Sequence, residues 1–287
     1  MSVAVVTDST SYIPRIVRDQ LGIGVVRLTS QLDGVTYPDD AEDCEAFYTA
    51  IARSRTFPTS SLPSVQQIAD VFEERVKAGR AVVGVFISRL MSGTHDVALL
   101  ARDLVRERYR DAVIEIVDGR SNSMELGFAV LAAARAAAAG APVPEVTAAA
   151  EEMTRHSRFL FTPLTLEYLR RGGRIGPAAA ALGTLLQLKP VLTAADGATG
   201  VVARVRSLGR AHDTILDLFA EDIRSRGGLG EVYVQHIHDV EAGKRFAERV
   251  AGIVGRPVDV LPIGPAVGTH VGPGTVGVVY HTVERLR

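Results

Sequence analysis

Four stretches gather side chains whose chemistry suits an acidic ligand. They are Ser60-Ser61-Leu62-Pro63-Ser64, Ser92-Gly93-Thr94, Arg174 directly after Gly172-Gly173, and His270 amid Gly264, Gly268, Gly272 and Gly274. Hydroxyls donate hydrogen bonds, the guanidinium carries a fixed positive charge, and an imidazole can accept or donate. The Ser/Pro loop could hold a polar ligand head, and Arg174 could bind a ligand through its charge. Ser92 activated by His270 would instead make a nucleophile. Each also has a plainer role: Ser92 or Thr94 as a helix cap, the Ser/Pro loop as a set of turns, and Arg174 as a brace.

Elements must exist to position these groups. The apolar run 81–86 leads through Ile87-Ser88-Arg89-Leu90-Met91-Ser92-Gly93-Thr94 into a helical pattern over 97–108. That reads as a buried parallel strand handing over to a helix N-terminus, where free backbone N–H groups favour anions. A first strand over 3–6 ends at Thr7-Asp8-Ser9-Thr10-Ser11, with Asp8 expected to brace the turn and a helix over 15–20 beyond it. Alternation over 25–32 reaches Asp33-Gly34, a hairpin signal returning through 35–37. Asp39, Asp40, Glu42, Asp43 and Glu45 are expected as a solvated acidic helix start, with no metal-loop spacing. Ser64 is placed to cap a helix over 65–77, and a strand over 113–117 and a helix over 124–139 complete another βα unit. This alternation predicts a parallel, doubly wound sheet.

Beyond the joint 140–144 the pattern changes. It predicts a helix over 145–156, a strand over 159–162, a short helix over 164–169 and an apolar helical run over 178–188. A hairpin turning at Ala195-Asp196-Gly197 follows, then a helix over 213–226, a strand over 232–237, a helix over 241–254 and a strand over 258–263. The fold expected is therefore α/β in two domains. Residues 1–157 form the parallel doubly wound part, and residues 158–287 form an α+β part with an antiparallel or mixed sheet.

Length and composition agree, since 287 residues exceed the usual reach of one core and 47% are apolar. A formal net charge of −1 offers no general attraction to nucleic acid or to an anionic membrane. Cys44 stands alone, which excludes an internal disulfide. The N-terminus reads as a strand rather than a signal peptide, no stretch has the character of a membrane span, and a cytoplasmic location is expected. Familiar catalytic signatures are missing. The segment 264–274 is glycine-rich but is read as opening no helix and carries no lysine, unlike a P-loop. His236 and His238 alternate as a metal pair would, without acidic or cysteine partners. Ser92 lacks the frame of a nucleophile elbow.

Taken in order, several motifs resemble the DegV family. They are Val5-Val6-Thr7-Asp8-Ser9, Thr59 to Ser64, Ile87 to Thr94, Val117-Asp118 with Ser121 and Ser123, and Leu166-Glu167-Tyr168-Leu169 with Gly172-Gly173-Arg174-Ile175. Lys189-Pro190-Val191-Leu192, Ile263-Gly264-Pro265 with Gly268-Thr269-His270, and Gly272-Pro273-Gly274 complete the set. That family is similar to FakB proteins, which bury one long-chain fatty acid between two domains and offer its carboxylate to a kinase subunit, FakA. The resemblance implies a lipid-binding substrate subunit of a two-component fatty acid kinase with no activity alone. The bound fatty acid would be its ligand, it would hold no cofactor or metal of its own, and ATP and Mg would sit on the FakA-like partner. Nucleic acid is not an expected partner, and membrane contact would be transient at most.

The resemblance places carboxylate binding on Ser60, Ser92 and His270, with Arg174, Ser61, Gly93, Thr94 and Thr269 in support. Arg204 and Arg206, two apart on one strand face, resemble a basic strand turned toward the kinase. Departures fall at Leu62, which replaces a glutamine, and at Arg89, Leu90 and His95, which replace a serine, a glycine and a tyrosine. Two other readings stand beside this one: a hydrolase or acyltransferase using Ser92 with His270, and a lipid-sensing regulatory binder.

Overall fold

The computed structural model describes residues 1–176 and 188–286. The expected helical run over 178–188 lies almost wholly outside them. In the first part the elements run β1 (Val3–Asp8), α1 (Arg15–Leu21), β2 (Gly24–Val26), β3 (Thr29–Leu32), β4 (Val35–Pro38), α2 (Glu45–Arg53), β5 (Thr59–Ser61), α3 (Val65–Lys77), β6 (Ala81–Phe86), α4 (Thr94–Arg108), β7 (Ile114–Asp118), α5 (Ser123–Ala138) and α6 (Val143–His156). After them come β8 (Ser157–Thr162), α7 (Glu167–Arg171), β9 (Lys189–Ala195), β10 (Ala198–Val205), α8 (Leu208–Ser225), β11 (Leu229–His236), α9 (Val240–Val254), β12 (Val260–Pro262), α10 (Pro265–Val271) and β13 (Val276–Thr282).

The fold is mixed α/β, as expected. One sheet is parallel, in the order β2-β1-β6-β7, and a separate mixed sheet runs β10-β9-β8-β13-β11-β12. The residues of β1 and β6 are buried on both faces, which is why their sequences are continuous Val/Ala runs rather than alternating ones. Strand order reverses between β1 and β6, and open sheets hold ligands at the carboxyl ends of such neighbours. Asp8 closes that point: its buried carboxylate accepts from Thr10 N at 2.9 Å and Ile87 N at 2.8 Å, bracing the loops after both strands.

Both Asp-Gly turns close hairpins with left-handed residues, Asp33 (φ 50) with Gly34 (φ 80) and Asp196 (φ 50) with Gly197 (φ 88). That is the type I′ geometry matching strand twist. Ser64 caps α3 in a capping box with Gln67. The loop expected at 57–64 contributes a short strand, since β5 adds to β3 beside β4 in a third, three-stranded sheet.

Apolar packing stacks these layers. Val6, Phe72, Phe86 and Ala98 join the parallel sheet to α3 and α4. Val191, Phe219, Val234 and Phe246 join the mixed sheet to α8 and α9. Between the two sheets lies α5, with 11 of its 16 residues buried, and one continuous cluster from Val5 through Phe128 to Phe159 spans both sheets.

Two expectations are corrected. The segment around 264–274 does open a helix: Pro265 occupies its first turn and α10 carries Thr269 and His270. The acidic segment is not uniformly solvated, because Asp39 is 3% exposed and bonded on three sides.

Candidate ligand-binding site

The carboxyl ends of β1 and β6, the end of the mixed sheet and α10 enclose a cleft with about 760 Å³ of atom-free space, part of it open to solvent. Leu28, Ile87, Phe159, Phe161, Ile237 and Ile263 line it with apolar surface, while Ser60, Ser92, Asn122, Arg174 and His270 supply polar groups. Thus four groups distant in the sequence, Ser60, Ser92, Arg174 and His270, border one cavity.

Their placement follows from local structure. Ser60 sits on β5 opposite Ser30 of β3, and its Oγ lies 2.8 Å from His270 Nε2. Ser92 closes a turn in which its own N–H and that of Met91 donate to Ser88 O. Its Oγ accepts from Thr94 N at 3.3 Å and lies 2.9 Å from Thr94 Oγ1, at the first residue of α4. Gly93 precedes that helix as its cap, and the Leu62 side chain packs so closely that a Cβ on Gly93 would stand 3.0 Å from it. Arg174 donates from Nε to Met91 O at 3.0 Å and from Nη1 to Gly172 O at 2.7 Å. It therefore braces the serine turn while its charge faces the cleft.

Not every expected residue meets the cavity. Thr269 donates to Ser30 Oγ at 3.0 Å and so fastens α10 to β3. Ser61 is half-buried beside Ser60, and Gly93 and Thr94 shape the serine turn without lining the cleft. Arg204 is exposed on β10, an edge strand, and Arg206 is exposed just past its end. Of the departures, His95 is buried in the first turn of α4 with Asp96 3.3 Å from its Nδ1, and Arg89, Leu90 and Leu62 are exposed near the serine turn. His236 and His238 do not form a pair on one face: β11 ends at His236, and His238 is left-handed and stacks on Tyr48. Among the described residues no group of His, Cys, Asp or Glu is arranged to hold a metal ion.

Electrostatics define the polar end. Burial, reinforced by the Arg174 charge, pushes His270 down to about 4, so its ring is neutral near pH 7. His270 Nδ1 is buried and has no hydrogen-bond partner. That atom packs against Gly172, where an added Cβ would stand 2.2 Å from it. A triad-like use of Ser92 is disfavoured by the same geometry, since His270 bonds Ser60, Ser92 bonds Thr94, and no carboxylate stands behind Nδ1.

Residues 2–283 match the family described as uncharacterised DegV proteins. The chain belongs to the DegV family. A DegV domain-containing protein of Clostridium acetobutylicum is 42% identical over 287 residues, covering 100% of both chains. Among solved structures, a Thermus thermophilus DegV family protein described for its fatty acid binding is 33% identical with a TM-score of 0.87, over 99% of this chain and 100% of its own. A fatty acid (stearic acid)-binding protein from Eubacterium ventriosum is 27% identical with a TM-score of 0.85, over 97% and 98% of the two chains. Bacillus subtilis DegV, a fatty acid binding protein, is 28% identical with a TM-score of 0.85, over 98% and 99%.

Two features of the structure were not expected from the sequence: Asn122, whose Nδ2 meets Met91 Sδ at 3.1 Å on the cleft wall, and the trio Tyr12, Asp39 and Tyr48 behind α10. The available signal for the trio was weak. Asp39 is one acid among several, and nothing local shows which one turns inward. No described helix of this DegV chain is long and apolar enough to cross a membrane.

Proposed function

We propose that this chain binds one long-chain fatty acid, with the acyl tail in the apolar cleft and the carboxylate received by Ser60, Ser92 and His270. The observation that carries this reading is the cleft itself, an apolar enclosure bordered by Ser60, Ser92, Arg174 and His270. Burying an acyl chain contributes roughly 0.8 kcal/mol per CH₂, on the order of 10 kcal/mol gross for a long tail before binding costs. The tail therefore supplies affinity, and the polar end fixes orientation. A carboxylate held there accepts from hydroxyls, while Arg174 balances its charge from behind the serine turn. Denaturing mass spectrometry of purified protein should release one fatty acid per chain, and repeated absence of any lipid would overturn the reading. Ser92→Ala should weaken binding by about tenfold, the equivalent of one hydrogen bond to a charged group at roughly 1.5 kcal/mol. Fluorescent fatty acid displacement measures this, and an unchanged Kd would remove Ser92 from the site.

The second part of the proposal is that the loaded chain presents its carboxylate to a FakA-like kinase subunit, which forms an acyl phosphate from ATP. The chain itself supplies position, in keeping with phosphoryl transfer depending on alignment and charge stabilisation, with Mg²⁺ and ATP on the partner. Arg204 and Arg206 offer that partner an exposed basic strand edge. Arg206→Glu should lower phosphorylation by a matched kinase at least tenfold with fatty acid binding intact, and loss of both would make Arg206 structural. Loaded wild-type protein that stays unphosphorylated with such a kinase would instead be a lipid-sensing binder.

A further inference from the structure

Helix α10 carries His270, yet its start is fastened by residues from far earlier in the chain. Asp39 Oδ1 accepts from Ala266 N at 2.8 Å and from Tyr12 OH at 3.1 Å, and Asp39 Oδ2 accepts from Ser9 Oγ at 2.6 Å. Tyr12 OH in turn accepts from Val267 N at 3.2 Å. Two of the free N–H groups of the first turn are thereby satisfied by side chains more than two hundred residues away. Tyr48 OH lies 3.0 Å from Ile263 O and 3.1 Å from Gly264 O, holding the approach to the same helix. The residues of the cap are all buried, with Asp39 at 3%, Tyr12 at 7% and Tyr48 at 1% exposure. Their packing leaves no slack, because a Cβ on Gly264 would lie 2.6 Å from Asp39 Oδ1 and 2.8 Å from the Tyr12 ring.

A seven-residue helix has only a few backbone hydrogen bonds of its own to fix its axis, so the groups at its ends weigh heavily on where its side chains point. At the far end His270 reaches Ser60, and misplacing a donor by about an ångström costs much of a directional bond. We infer that Asp39, together with Tyr12, is a positioning residue for the head-group site: by capping α10 from the opposite half of the chain it sets the His270 imidazole against Ser60 and the cleft. Neither residue bonds Ser60, Ser92 or His270 in this structure, and the effect passes through the helix. The ligand is the fatty acid of the preceding reading, whereas the placement of His270 rests on geometry alone.

The test compares Asp39→Ala, Asp39→Asn and Tyr12→Phe with wild type in two measurements. First, ligand-free protein labelled with ¹⁵N-histidine reports the His270 ring directly, its signals assigned by their loss in His270→Gln. Asp39→Ala and Tyr12→Phe should move those signals, and Asp39→Asn, which keeps an acceptor for Ala266 N, should largely restore them. Second, palmitate and hexadecanol share a tail and differ only at the head. The preference for palmitate should fall at least fivefold in Asp39→Ala and recover in Asp39→Asn, whereas a merely structural loss would weaken both ligands alike. Unmoved His270 signals in folded Tyr12→Phe overturn the inference even if Asp39→Ala fails to fold. An unchanged palmitate preference in a variant whose His270 signals have moved overturns it too. Wild type that binds neither ligand sinks the fatty-acid reading and leaves the His270 signals to decide this one.

Discussion

Gly172→Ala should empty the proposed fatty-acid site while the protein stays folded. Gly172 ends α7 with φ −71 and ψ −10, ordinary helical values, so alanine meets no backbone strain there. The obstacle is space: the new Cβ would stand 2.2 Å from His270 Nδ1 and 3.1 Å from Tyr168 O. The ring cannot retreat freely, because Ser60 holds its Nε2 and α10 is fastened at its start. Overpacking of this kind costs about 1–3 kcal/mol, and relief comes by pushing the imidazole out of place. Thermal unfolding should fall by a few degrees, and co-purified fatty acid by at least tenfold. Adding His270→Ala to Gly172→Ala removes the clash, so stability should recover while binding does not. Full lipid content in the single variant would mean that the ring does not sit where the structure puts it.

The second large effect is a pH dependence carried by His270. Its folded pKa is depressed to about 4 by burial and by the Arg174 charge, against 6.5 for an unperturbed ring. Between these values the unfolded chain binds a proton that the folded chain refuses. The stabilising contribution is therefore complete above pH 6.5 and is lost as pH falls toward 4, amounting to roughly 3 kcal/mol at full loss. Asp39 acts in the opposite sense. Burial raises it to about 6, so the folded protein takes up that proton more readily and gains relative stability as pH falls from 6 toward 3.8. The raw stability curve mixes both, so the informative quantity is wild type minus His270→Gln, measured by urea unfolding of delipidated protein. The difference should shift against wild type by about 2–3 kcal/mol between pH 7 and pH 4.5. A flat difference would show that the ring is solvated.

What could be read from the residues alone was mostly local. The Val/Ala runs of β1 and β6, the two Asp-Gly hairpins and the Ser64 cap each announce themselves within a few positions, and all three appear in the structure. Helix α10 did not, because Gly264, Gly268 and Gly272 argue for a loop. Gly268 is there for space, as a Cβ would stand 2.0 Å from Tyr48 Oη, a contact set by packing rather than by local preference. Asp39 was hidden for a related reason. What turns one carboxylate inward is the company of Ser9, Tyr12 and Ala266, two of them upstream and one more than two hundred residues on. The meeting of Ser60, Ser92, Arg174 and His270 on one cavity was legible through family resemblance, and the residues alone left a Ser92–His270 nucleophile open. The bond of His270 to Ser60 rather than Ser92 is knowledge only the three-dimensional arrangement supplies.

Helix α5 has sheet on both sides and buries 11 of its 16 residues. Prying the two sheets apart around it would bare Met124, Leu126, Phe128, Val130 and Leu131, at about 1.5–3 kcal/mol each. The sum rivals the entire margin by which a typical domain stays folded. A ligand therefore reaches the cleft without parting the two sheets, from the side where the cavity opens to solvent.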